Sequence, residues 1–335
     1  MAMKNASLAY RREMPQCAVQ LRLMIKKKPT SRKPVESGNA ILTQLWNAVV
    51  KPIVAALSLQ KATGRKRPRV IWIPTGPFAF VPVHAAGVYA DGGHDCCSDY
   101  FVSSYAPTLS ALRNAQRKLK PIARSSTKIL LAAAPSPYDP QWQPLPYTMH
   151  ELAEIDSVVP RDAFLSLPPE DDASRGDECG ARVQTVLNEL PNATILHLAC
   201  HGYQDPKNPL ASGFLLRDEM LTIAKLMPKS LPNSFLAFLS ACETAKGDAS
   251  QPDQAVHLAA AMLFAGFKSV IATLWSMGDV DGPLVARTVY EELFHGDSDY
   301  LDPQVVPYAL DTAMQKLRAI DPTPSRWAPY IHIGC

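Results

Sequence analysis

Two short apolar runs end abruptly at reactive residues, and they restrict what this chain can fold into more than any other feature. The first is Asn192-Ala-Thr-Ile-Leu-His-Leu-Ala-Cys-His-Gly202; the second is Ser234-Phe-Leu-Ala-Phe-Leu-Ser-Ala-Cys-Glu-Thr244. Apolar runs of this length, bounded by turn formers, read as strands buried in a parallel sheet. In open α/β sheets, ligands bind just beyond the carboxyl ends of the strands. Two neighbouring strands would then bring the imidazole of His201 and the thiol of Cys242 to the same edge. A cysteine nucleophile needs that arrangement, because the thiolate attacks and a nearby histidine lowers its pKa or takes its proton.

The rest of the chain alternates strand and helix patterns. Strands are expected at 70–73, 100–105, 128–133, 194–199, 234–239 and 269–275, with others at 162–167 and 327–333. Helical spacing marks 40–59, where Pro52 kinks the helix or starts a second one, and 107–119, 148–159 and 181–190. Further helices are expected at 221–227, 253–264, 279–294 and 305–320. Acidic residues stand at 151, 154 and 156 of the third of these. Segments 91–97, 135–146 and 168–180 read as loops, the last being charged and the best candidate for a cleavable or variable insert. This alternation implies an α/β fold with a mainly parallel sheet and helices on both faces.

At 335 residues, with 47% apolar and 19% charged residues, the chain has ample core for one large or two modest globular domains. No apolar run approaches the ~20 residues of a membrane span, and no signal-peptide pattern opens the sequence. Seven cysteines, at 17, 96, 97, 179, 200, 242 and 335, form no disulfide rhythm, so a reducing, cytoplasmic setting is expected. Basic residues cluster early, at Lys26-Lys27-Lys28, Arg32-Lys33 and Arg65-Lys66-Arg67 with Arg69. They read as a solvated flank rather than a nucleic-acid surface. Residues 1–38 are basic and poorly periodic and are expected to form a tail.

Each chemical candidate has a plainer alternative. Cys242 could be a small core hydrophobe, but it follows its strand and is flanked by Ser240, Glu243 and Thr244. His201 could be a core or capping histidine, but Gly202 follows it, permitting a sharp turn and offering an unhindered N–H to a developing oxyanion. Strand alternation should point Cys200 away from His201. The clusters His94/Cys96/Cys97 and Cys200/His201 lack zinc-site spacing, so no metal is expected. A glycine-rich phosphate loop is also missing, and no cofactor is implied.

Taken together, Leu196-His-Leu-Ala-Cys-His-Gly202, Leu239-Ser-Ala-Cys-Glu-Thr-Ala245 with Gly247, and Ala272-Thr-Leu-Trp275 with Asp279 resemble the CHAT domain. That family belongs with the caspase and separase clan of cysteine peptidases. The resemblance extends to Ile73-Pro-Thr-Gly76, Pro82-Val-His-Ala-Ala86 and Trp327-Ala-Pro-Tyr-Ile-His-Ile-Gly334. It implies a caspase-like domain over 39–335, with halves 39–167 and 181–335 joined by the loop 168–180. It further implies that His201 is the general base, Cys242 the nucleophile, and the N–H groups of Gly202 and Cys242 the oxyanion hole. Ser240 stands where caspases have a substrate-contacting Gln, a departure that removes a ready inference about specificity. Asp279 falls where separase-like relatives place an acid for a basic substrate side chain, with Asp281 as the alternative; the plainer role for Asp279 is a helix N-cap. The resemblance implies a cysteine endopeptidase acting on protein substrates, with cleavage after Arg or Lys, and any regulatory partner supplied in trans. The alternative is a catalytically silent interaction module on the same fold.

Overall fold

The computed structural model describes residues 33–90, 93–117, 121–165, 180–205, 207–228, 231, 233–241, 258–296 and 298–335. Residues 1–32 and 166–179, which hold most of the expected tail and of the charged loop, lie outside the described residues, as does Cys242.

In chain order the elements begin with α1 (Lys33–Leu45), a π-turn (Trp46–Val50) and α2 (Lys51–Ala56). Next come β1 (Arg69–Trp72), β2 (Gly87–Ala90), β3 (Gly93–Cys96), β4 (Val102–Tyr105), α3 (Leu109–Arg117) and β5 (Ile129–Ala133). The middle of the chain forms α4 (Tyr147–Asp156), α5 (Val183–Glu189), β6 (Ile195–Ala199), β7 (His201–Tyr203), β8 (Gly213–Leu215) and β9 (Met220–Thr222). Then follow β10 (Leu236–Ser240), α6 (Leu258–Ala265), β11 (Ser269–Thr273), α7 (Gly282–Leu293), α8 (Val305–Ile320) and β12 (Tyr330–Gly334).

Seven strands form one sheet in the order β1-β4-β12-β11-β10-β6-β5. All its pairings are parallel except β11–β12, where the strand direction reverses. All five residues of β5, β6, β10, β11 and β12 are buried, the pattern of strands covered on both faces. Their side chains alternate between two cores. Ile195, Ala199, Leu236, Phe238 and Ile271 pack against α1, α4, α7 and α8. Leu196, Leu198, Ala237, Leu239 and Val270 pack against α5 and α6. The architecture is a mostly parallel, caspase-like α/β sheet with helices on both faces. Among the described residues no helix is long and apolar enough to cross a membrane.

Several expectations need correction. Helix α1 starts at Lys33, inside the segment read as a tail. Residues 91–97, read as a loop, carry strand β3 of a β2–β3 hairpin, and 221–227 opens as a strand before its helical turn. The basic run at 65–69 is a solvated flank only at Arg65 and Lys66, which are exposed; Arg67 and Arg69 turn inward. Arg67 is buried and pairs with Asp311 at 2.6 Å, Arg65 pairs with Asp302, and Arg69 donates to Ser104 and to the Gly334 carbonyl. Long basic side chains were turned inward by acceptors distant in sequence, which a local charge count cannot reveal.

His84 illustrates how this framework responds to acid. Its Nδ1 lies 2.8 Å from the Tyr105 hydroxyl and its Nε2 lies 3.2 Å from the Ala328 carbonyl. Burial pushes its pKa down to about 4, against the Ala328 carbonyl, which raises it. In the unfolded chain the ring charges near pH ~6.5. Between that value and about 4 the unfolded state therefore binds more protons, and stability falls as pH falls. The loss has an upper bound of about 3 kcal/mol, with buried His332 adding to it in the same direction. His84→Gln should flatten the drop in Tm between pH ~6.5 and ~4 without flattening it completely. An unchanged acid limb in thermal melts would refute the assignment.

Candidate active site

Strand β6 leaves the main sheet at Cys200, which is buried in the core against α5 and α6, and the chain continues into β7 with His201. β7 is the outer strand of a separate three-stranded sheet, β9-β8-β7, where His201 pairs with Leu215 and Gly202 with Phe214. Gly202 thus lies in strand backbone rather than at the sharp turn expected of it.

β10 runs parallel to β6 in register, with Ser240 opposite Ala199. Its carboxyl end is pinned from both sides. The Cys200 N–H donates to the Ser240 carbonyl at 3.3 Å, and the Thr273 hydroxyl donates to the Ala241 carbonyl at 2.8 Å. Cys242 is the next residue in the chain and lies outside the described residues. The two strands that lead to His201 and Cys242 are therefore adjacent and parallel, and they end at the same level.

The imidazole of His201 is held by a segment that showed no functional signal in the sequence. Its Nε2 lies 2.7 Å from the Gln143 carbonyl, and the Trp142 ring packs at 4.9 Å with a 47° tilt. Trp142 also meets Tyr203 edge-on at 6.4 Å. A carbonyl can only accept, so Nε2 carries the proton and the neutral ring presents Nδ1 as its basic nitrogen. These contacts leave His201 only 9% exposed. The segment is tied down by Leu145 N–H to the Pro135 carbonyl and by Tyr138 N–H to the Leu216 carbonyl. A backbone carbonyl has no sequence signature, so Gln143 could not have been found; a tryptophan in a Pro-rich polar loop was the one available hint.

Asp279 is half-buried, and its Oδ2 accepts the Tyr147 N–H at 2.9 Å. It therefore caps α4 rather than the helix that follows it. Burial raises its pKa and the negative charge of Glu151 adds to that, while the Tyr147 N–H and His201 oppose it. Asp279 thus lies within electrostatic reach of the His201 imidazole whenever that ring carries a second proton. Asp281 behaves differently: it is buried and takes a two-pronged contact from Arg326, Nη2–Oδ1 at 2.6 Å and Nε–Oδ2 at 3.0 Å. Its charge is met inside the fold. Ser240 is also buried, and its hydroxyl donates to Glu151 Oε2 at 2.9 Å. Glu151 drew no attention in the sequence beyond being one of three acids on a helix. Among the described residues no group of three His, Cys, Asp or Glu is placed to hold a metal ion, and Cys96, Cys97, Cys200 and Cys335 are buried.

This chain belongs to the CHAT domain family, whose model matches residues 39–335. It is similar in fold to separase from Saccharomyces cerevisiae, solved in complex with securin, with TM-score 0.53 and 13% identity over 79% of this chain. It is also similar to the Arg-specific cysteine proteinase gingipain R, RgpB, of Porphyromonas gingivalis, with TM-score 0.51 and 10% identity over 92% of this chain. The chain spans 15% of the separase chain and 68% of the gingipain chain. No curated protein matches it.

Proposed function

We propose that the chain is a CHAT-domain cysteine endopeptidase that cuts protein substrates after Arg or Lys. The observation that carries the proposal is the 2.7 Å contact between His201 Nε2 and the Gln143 carbonyl. It leaves Nδ1 as the base on a ring that stands two residues past the end of β6, the strand that runs beside the one leading to Cys242. In this mechanism Nδ1 takes the Cys242 thiol proton and the sulfur attacks the scissile carbonyl carbon. The N–H groups of Gly202 and Cys242 bind the resulting oxyanion. His201 then gives its proton to the departing amine, leaving a thioester that water hydrolyses. Asp279 offers a carboxylate to the basic side chain before the cut. Cofactors and metals take no part, and a thiol nucleophile suits reducing, intracellular surroundings.

A silent interaction module is the second reading, and the Trp142 ring over His201 favours it, because substrate must displace or pass that ring. A protein partner acting in trans on the 135–146 segment would relieve the same contact. An Arg-containing peptide with an acyl-type thiol-reactive group separates the two readings. The peptidase should be labelled at Cys242, with no labelling of Cys242→Ala. A folded native chain that resists the probe at every concentration would leave the interaction module.

A further inference from the structure

Three acids lie on α4, and two have ordinary surface roles. Glu154 pairs with Arg287, and Asp156 pairs with Arg161. Glu151 instead shares the inner face of the helix with Thr148, Leu152 and Ile155 and is 2% exposed. A buried carboxylate is costly unless other groups satisfy it, and an apolar residue of similar size would ordinarily serve packing better. Its surroundings are specific. Oε2 accepts the Ser240 hydroxyl at 2.9 Å. Oε1 lies 3.1 Å from His197 Nε2, without the alignment of a hydrogen bond, and His197 Nδ1 lies 3.3 Å from the Tyr290 hydroxyl. The carboxylate also sits against the first residue of α7. A Cβ on Gly282 would lie 2.6 Å from Oε2, so only glycine leaves room for it there.

The placement of these partners gives the cluster its meaning. Ser240 is the last residue of β10, two before Cys242. His197 is on β6, four residues before His201. α4 itself begins at Tyr147, whose N–H holds Asp279, and it follows directly on the segment that carries Trp142 and Gln143. One buried carboxylate thus touches both strands that lead to the reactive residues, from the helix whose first N–H holds Asp279 and whose preceding segment holds His201.

We propose that Glu151 is a positioning residue: its carboxylate braces the middle of β6, at His197, against the end of β10, at Ser240, and so fixes the approach of His201 to Cys242. This rests on the peptidase reading given above. Glu151 touches no substrate and takes no proton from it. Its action runs through Ser240 and His197, and Gly282 provides the space in which the clamp closes.

The test uses the full chain and the variants Glu151→Gln, Glu151→Ala, Ser240→Ala and Gly282→Ala. Two experiments are run on each: peptide kinetics giving kcat and KM on a fluorogenic Arg peptide, and the pH profile of Cys242 alkylation by chloroacetamide, read by mass spectrometry. A glutamine still accepts from Ser240 and presents an amide to His197, so Glu151→Gln should keep kcat within about threefold. Glu151→Ala, Ser240→Ala and Gly282→Ala should lower kcat by about tenfold or more with KM nearly constant, and should shift the alkylation profile. A purely structural role predicts lower Tm but wild-type kcat per folded molecule, and that result overturns the clamp. So does a Glu151→Gln variant as impaired as Glu151→Ala. If Glu151→Ala does not fold, Ser240→Ala decides. If the native chain cleaves no peptide, the peptidase reading fails separately, and the alkylation profiles alone settle the clamp.

Discussion

If the chain is the peptidase proposed above, peptide hydrolysis should fall by at least about a thousandfold in both Cys242→Ala and His201→Ala, since a nucleophile and its base act as a unit and either loss removes most of the rate. The double variant is no worse than either single one. Thermal stability separates the two substitutions. His201 has a ring contact with Trp142 and a hydrogen bond to the Gln143 carbonyl, so its truncation costs about 1 kcal/mol. Kinetics should therefore dominate over stability in both cases. Residual cleavage above a few per cent in either variant, measured on the same fluorogenic peptide, would rule out the dyad.

The second large effect is on specificity. Asp279→Asn should lower kcat/KM for Arg and Lys substrates by tens- to thousands-fold, about 2–4 kcal/mol in transition-state binding. Arg should be favoured over Lys in the native enzyme because its planar fork matches a carboxylate. Asparagine keeps an oxygen that can accept the Tyr147 N–H, so α4 stays capped and the loss reports charge rather than folding. Alkylation by small uncharged reagents should barely change. The pH profile carries a second signature. Burial raises the Asp279 pKa above the ordinary carboxylate value. Protonation removes the charge that attracts the substrate cation, so kcat/KM for Arg peptides should fall as pH drops through this raised value. In Asp279→Asn that limb should vanish. A library profile favouring acidic or apolar residues before the cut would return Asp279 to the role of a cap.

Much of the central sheet was legible because its strands are buried on both faces and therefore read as unbroken apolar runs. Leu236–Ser240, Ile195–Ala199 and Ser269–Thr273 all lie inside runs marked from the sequence. Val305–Ile320 matched because its apolar stripe is long and regular. The parts that escaped depend on partners far along the chain. The β2–β3 hairpin is rich in glycine and polar residues and offers no alternating pattern. Arg67 looked like surface charge until Asp311, 244 residues away, was placed beside it. Within the site, His201, Ser240 and Asp279 were visible as residue types at strand ends. The Gln143 carbonyl and the inward turn of Glu151 were not, since one is backbone and the other depends on which helical face meets the sheet.

The place of β12 has a consequence for how the molecule assembles. It is the last of the seven in sequence, yet it lies third across the sheet, with β4 on one side and β11 on the other. Its Ile333 pairs with Tyr105, more than two hundred residues earlier in the chain. During synthesis the early strands β1 and β4 and the later group β5, β6, β10 and β11 are therefore two separate sheet fragments, each with an unpaired edge facing the gap. Only when residues 330–334 have emerged can the two be joined. Such distant pairings close slowly, and exposed edges in the meantime invite association with other chains. The interval before that final insertion is when a chaperone would matter most to this protein, and a ribosome-stalled chain ending before residue 330 should be protease-sensitive across both fragments.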